Sequence, residues 1–303
     1  MNNNLTTRSF EELAHQLAQA KKWLASIPIP TEENRFGSIV SNVNLIQQYW
    51  NKTALDEVLH SHEMHDLWIS LLDADSFVTI YKQFLKLKSH QLPRQRLKEI
   101  VSGPLMPHDE TKDGSSIQAR NAIFELELAA RLQERGVPIT RFDDIEFEFD
   151  GINVNVQCKR LHSNSQLQYN LERACSQIAT RIGSTGKWGL VAIGIDKVSG
   201  ADKTVWEVPH EAVLIAHASN IVKNFLTTAN MLLRTCDTQV LGIIVHLRYI
   251  GRIKNSEDDL LTRGKETALL FSAAAERQLG DIFIEKLSKQ INNYAEQKKQ
   301  PDW

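Results

Sequence analysis

The sequence predicts a mixed α and β fold, and three observations predict it. Apolar residues recur at helical spacing through the first hundred residues or so. Two strictly alternating runs then flank the pair Asp150-Gly151. Beyond them, a helical stretch from Ser163 to Ile182 leads into the apolar run Gly189 to Asp196, which has the length of a buried strand. Helix and strand periods mixed in this way belong to domains that layer both.

The chain has 303 residues, 42% of them hydrophobic and 24% charged, enough to bury a sizeable core in one large or two modest domains. A formal net charge of −2 gives no global basic bias, so a nucleic-acid partner needs a local patch. No leader-like segment opens the sequence. The longest apolar runs, such as Val240 to Val245, are too short to cross a bilayer. A cytoplasmic location without a membrane partner is the expectation. Cys158, Cys175 and Cys236 lack metal-ligand spacing and read as buried reduced thiols.

In the N-terminal region, helices are expected over Phe10 to Ala25, Ser38 to Tyr49, Ala54 to Leu72, Ser76 to Leu87 and Arg94 to Ile100. The stretch from Ser102 to Ser116 is rich in Gly, Pro and Ser and reads as a loop. It places a boundary between a helical region, 1–105, and a second domain, 106–303. His60, His62, Glu63 and His65 lack the four-residue His spacing of a zinc-protease helix, so a solvated face is the better reading. Gly183 to Trp188 is rich in Gly but lacks the spacing of a phosphate-binding loop, and reads as a connection.

Gln118 to Arg135, stopped by Gly136 and Pro138, reads as an amphipathic helix. At about 100° per residue, Phe124, Leu128 and Leu132 form one apolar arc. Glu125 projects into that arc, near Ala129. A carboxylate facing a core calls for a cation or a metal beside it. Glu127 falls on the far side with Arg120 and Arg131, and Glu127 with Arg131 reads as an exposed pair.

The stretch from Arg141 to Leu161 organises the rest. Asp-Gly favours a two-residue turn with positive φ. That turn pairs Phe149 with Ile152, Phe147 with Val154 and Ile145 with Val156 on an apolar face. The other face pairs Glu148 with Asn153, Glu146 with Asn155 and Asp144 with Gln157, and Lys159 follows. A solvated outer surface explains most such faces. Asp144 and Gln157 as cross-strand neighbours, with Lys159 on the same face, also suit a metal site.

This hairpin resembles the active-site hairpin of the PD-(D/E)XK nuclease superfamily, in which an Asp begins one strand and an acidic-x-Lys triplet ends the next. Asp143 stands where that family has Pro, and Gln157 replaces the acidic residue, as in the Gln-x-Lys variant of Mrr-type restriction enzymes. The family's first helix commonly supplies a Glu, often in a Phe-Glu context, which assigns that role to Glu125. The resemblance covers about a third of the chain.

It implies a restriction-endonuclease-like αβββαβ core behind the α-helical N-terminal region. It also implies a DNA endonuclease in which Glu125, Asp144 and the Gln157 carbonyl hold Mg²⁺ or Mn²⁺ and Lys159 completes the catalytic set. Arg160 at the end of the hairpin, and Arg173 and Gln177 on the following helix, are candidates for phosphate contact or support, with Arg181 and Lys187 adding positive charge. DNA is the expected partner, and the N-terminal helices suit a second copy or another protein. The alternative is a catalytically inactive nuclease-like fold that binds nucleic acid or assembles with protein.

Overall fold

A computed structural model describes residues 4–6, 9–50, 63–105, 109–110, 115–182, 187–233, 239–254 and 259–292. The fold is mixed α/β, and the chain divides into two compact units. One is Thr7–Arg131; the other joins Met1–Thr6 to Leu132–Trp303. This division falls inside a helix, after Arg131.

In the helical unit, α1 (Phe10–Ser26) begins at Ser9, whose Oγ accepts from the Glu12 amide at 3.1 Å. That capping bond satisfies one of the orphan donors of the first turn. Leu13, Leu17, Ala20 and Leu24 form its buried stripe. α2 (Arg35–Trp50) buries Phe36, Ile39, Val43 and Ile46 in the same way. α3 (Glu63–Phe84) runs unbroken where the sequence suggests two helices. Its acidic centre is buried rather than a break: Asp73 pairs with Arg35, and with Arg120 at 3.8 Å. Pairing makes that burial tolerable. The side chains of His60, His62, Glu63 and His65 lie outside the described residues. α4 (Arg94–Val101) follows, then α5 (Ser115–Glu134).

The far face of α5 is not solvated, which corrects the expectation for Glu127. Its carboxylate accepts from Ser76 Oγ at 2.6 Å and pairs with Arg131 at 2.9 Å, all buried. Arg120 is buried against Glu110 at 2.9 Å. The reason is that α3 supplies polar partners, Asp73 and Ser76, to a face whose charged residues read as exposed.

The second unit is built on one mixed sheet. Among the described residues its strands are β1 (Asn4–Thr6), β2 (Ile139–Arg141), β3 (Glu146–Phe149), β4 (Ile152–Arg160), β5 (Trp188–Gly194), β6 (Val205–Val208), β7 (Val240–Lys254) and β8 (Asp259–Phe271). Their order is β1-β8-β7-β5-β4-β3-β2, with β6 beside β7. β2, β3 and β4 are antiparallel neighbours, while β5 joins β4, and β7 joins β5, in parallel. β7 is long enough to pair with β5 along its first half and β6 along its second.

Parallel neighbours need crossovers. α6 (Leu167–Ile182) carries the chain from β4 to β5, and α8 (Glu211–Leu233) carries it from β6 to β7. A short α7 (Asp196–Ser199) lies between β5 and β6, and α9 (Ala273–Asn292) closes the described chain with a kink at Gly280. No helix among the described residues is long and apolar enough to cross a membrane.

Leu161, Val191, Ile193, Val245 and Leu247 share one core with Leu171, Ile178, Leu214 and Val222 of α6 and α8. Each such side chain contributes roughly 1.5–3 kcal/mol when fully buried. Gly189 lets β5 approach α6, since a Cβ there would lie 2.3 Å from Ile178. Cys158 lies outside any disulfide but is half-buried rather than buried, and Cys175 is disulfide-bonded, which corrects its reading as a reduced thiol. Spacing along a chain does not reveal pairing across a fold. Cys236 lies outside the described residues.

Candidate functional site

The hairpin forms in the expected register: Phe149 opposite Ile152, Glu148 opposite Asn153, Phe147 opposite Val154 and Glu146 opposite Asn155. Asp150 and Gly151 both have positive φ, at 52° and 78°, as the tight turn requires. One further bond, from the Val156 amide to the Ile145 carbonyl at 2.8 Å, extends the pairing.

There the strand ends, and this corrects the placement of Asp144. β3 starts at Glu146, and Asp144 sits with φ +53° in the turn that reverses β2 into β3. Asp is one of the few residues that tolerates this conformation, because its short side chain bonds locally. Asp144 is therefore a turn residue and not a laddered partner of Gln157.

Strand alternation sets what faces α6. Leu161 belongs to the core under α6, so Lys159, Gln157 and Asn155 leave β4 on that same side. Lys159 Nζ donates to Gln177 Oε1 at 2.6 Å. Arg173, Gln177 and Arg181 recur every fourth residue on α6 and so share a helix face. Arg181 Nη1 lies 2.8 Å from Asp144 Oδ1, and Arg141 Nη2 lies 4.0 Å from Asp144 Oδ2. Burial, then the nearby Arg173, holds the Lys159 ammonium below the usual lysine range; Arg181 acts in the same direction, while Cys158 and Asp144 oppose it.

The structure thus brings Asp144, Lys159, Gln177 and Arg181 into one neighbourhood, with Arg173 in electrostatic reach. Gln157 is two residues before Lys159 on the same face. It is buried, and its Nε2 donates to Asn155 Oδ1 at 2.9 Å. Arg160, next to Lys159, leaves the strand on the opposite face and acts on Asp202, whose carboxyl is raised by burial and by Asp196. Glu125 belongs to the helical unit. It is 8% exposed, and its Oε2 lies 3.3 Å from Arg96 Nη2. The sequence reading anticipated a cation beside this carboxylate.

Among the described residues, no group of three or more His, Cys, Asp or Glu side chains is placed to hold a metal. A hard cation that keeps most of its waters needs fewer protein oxygens. The bond to Asn155 consumes the nitrogen end of the Gln157 amide and leaves its carbonyl as the ligand end. Beside it, Asn155 Nδ2 is buried with no hydrogen-bond partner among the described residues, the kind of orphan that marks a water or ligand nearby. Asp144 adds a carboxylate that is one-third exposed. Carboxylate and amide oxygens are the donor types that hard cations such as Mg²⁺ take.

The sequence reading missed the partnership of Arg181 with Asp144. Its only trace is the four-residue spacing from Gln177. It also missed Glu266 on β8, fully buried, where burial pushes the carboxyl up to about 7. Comparison with protein-family models, with curated proteins and with solved structures finds no match for this chain.

Proposed function

We propose that this chain is a metal-dependent phosphodiesterase that cuts DNA, built on a restriction-endonuclease-like core. The order α5, β2, β3, β4, α6, β5 supports that core, with three antiparallel strands and a parallel fourth reached across α6. The observation that carries the function is the meeting of an acid, a lysine and a basic helix face. Asp144 lies 2.8 Å from Arg181, and Lys159 lies 2.6 Å from Gln177, one helical turn before Arg181.

Asp144 and the Gln157 carbonyl would hold the cation. Bound there, Mg²⁺ or Mn²⁺ supplies the Lewis acidity that a phosphodiester requires. Gln177 fixes the Lys159 ammonium, which orients the attacking water or offsets charge building on the phosphoryl oxygens. Arg173 contacts a neighbouring phosphate as a bidentate partner. The helical unit is the part left to recognise a second copy or another protein.

One observation favours a second reading. Asp144 is already neutralised by Arg181, and Gln157 carries no charge, which suits a module that binds DNA without cutting it. Incubating the protein with plasmid and Mg²⁺ or Mn²⁺, beside Lys159→Ala, separates the two. Cutting by the wild type and not by the variant is the expected result. Equal cutting, or none by either across DNA substrates, counts against the enzyme. Salt-dependent binding without cutting selects the module.

A further inference from the structure

Three buried oxygens on one face of the sheet have no hydrogen-bond partner among the described residues: Glu266 Oε2, Tyr249 OH and Thr262 Oγ1. Their residues are 0%, 0% and 1% exposed. A buried polar atom left dry is costly, so folded proteins bring a partner to nearly all of them. The strand register gathers these three. Tyr249 stands opposite Gly264, Leu247 opposite Glu266 and Gly251 opposite Thr262, so all six positions share one face. α8 covers that face, through Leu214 over Gly251 and Ser219 on Glu266. Gly264 has no side chain, and a Cβ there would collide with the Tyr249 ring and its hydroxyl. The hydroxyl therefore lies over Gly264, between Thr262 and Glu266. Same-face neighbours along a strand are about 7 Å apart, and one water bridges oxygens about 5 Å apart.

Trp206 stacks on the Tyr249 ring, with centroids 4.9 Å apart. The ring is held between that stack and Gly264, so its hydroxyl does not swing out to solvent and a partner must come to it. Glu266 Oε1 is already taken by Ser219 Oγ at 3.2 Å, which leaves Oε2 for another donor or acceptor. We propose that the space over Gly264 is a binding site for one ordered water, held by Tyr249, Thr262 and Glu266. Hydroxyls both donate and accept, and three such groups supply the partners that an internal water takes. The water joins β7 to β8 beneath α8 through side chains, in addition to the backbone ladder. The site is independent of the nuclease reading above.

The test is the sign of two shape-keeping substitutions in the full chain. Tyr249→Phe and Thr262→Val each remove one hydroxyl. Removing a hydroxyl that is buried dry stabilises a protein, whereas removing one that holds a water leaves the water short of a partner and destabilises it. Urea midpoints measured at about pH 6, where burial keeps Glu266 protonated, should fall in both variants. The double variant should lose less than the two losses added, because both hydroxyls serve the same water. Oxygen-17 magnetic relaxation dispersion should count about one long-lived water fewer in the double variant than in the wild type. Circular dichroism shows that each variant is folded.

A midpoint that rises or stays level in either variant means that its hydroxyl is dry, and the site is overturned. Losses that simply add, or a count of long-lived waters that does not change, also overturn it, because the hydroxyls are then satisfied separately.

Discussion

Lys159 Nζ donates to Gln177 Oε1 at 2.6 Å and so ties β4 to α6. The ammonium is held below the usual lysine range by burial and by Arg173. A lysine depressed in this way costs the folded state free energy at neutral pH. The cost fades as pH rises through the folded pKa toward the ordinary 10.5. Lys159→Met should therefore unfold no lower than the wild type at pH 7, and the wild type should gain on it toward pH 10. DNA cutting by the variant should fall by about 100-fold or more, the scale of losing an electrostatic stabiliser of the transition state. Differential scanning calorimetry and plasmid nicking read the two effects separately. A midpoint that drops by several degrees would make Lys159 a structural strut instead.

The tip of the same hairpin offers a check on the backbone. Gly151 has φ +78°, and a Cβ built there meets nothing within 4 Å. Any penalty for Gly151→Ala is thus conformational, about 1 kcal/mol. Gly151→Asn should lose less, because Asn tolerates the left-handed region. Urea denaturation of both variants measures this. Equal stability of all three proteins would mean that the turn relaxes to another geometry.

How much was legible in the sequence follows from which physics each segment obeys. The pairing of Glu146 to Phe149 with Ile152 to Asn155 follows from alternation and a two-residue turn, both local, and it was read in register. Helix α6, Leu167–Ile182, lies within its expected span, Ser163 to Ile182. Asp144 was misread as a strand residue because alternation carries on through a residue that the chain uses to turn. Glu127 and Arg131 were read as an exposed pair because a helical wheel shows one apolar arc and cannot show that α3 brings Ser76 to the other side. Arg263, Lys265 and Glu266 look like surface in sequence, yet all three are buried in a sheet.

Glu125 lies 3.3 Å from Arg96, whose side chain is 32% exposed. Glu125→Gln keeps the shape and removes the charge. If the carboxylate is a metal ligand, this variant should lose DNA cutting by about 100-fold or more and need more Mn²⁺ to recover it. The thermal midpoint should fall modestly, since a partly exposed ion pair contributes only about 1 kcal/mol. Arg96→Met removes the partner and leaves the ligand, so it should lower the midpoint without abolishing cutting. The opposite pattern, in which both variants lose stability equally and retain activity per folded molecule, would confine Glu125 to a structural pairing with Arg96.

Glu266 gives the fold a pH dependence with a defined sign. Its side chain is fully buried, Oε1 accepts from Ser219 Oγ at 3.2 Å, and Oε2 has no hydrogen-bond partner among the described residues. Burial raises the carboxyl from 4.5 to about 7, with the Ser219 bond and Arg135 opposing the shift. Between those two values the folded protein keeps a proton that the unfolded chain has released. Stability therefore falls as pH rises across that window, and the loss is complete once the folded carboxyl ionises. Glu266→Gln mimics the protonated form at every pH. It should match the wild type near pH 5 and exceed it at pH 8 by on the order of 2 kcal/mol. Urea unfolding at intervals from pH 5 to pH 8 reads the difference directly. Parallel curves for the two proteins would mean that Glu266 ionises at an ordinary carboxylate pKa, and that its buried oxygen is satisfied by a partner supplied when the chain is in solution.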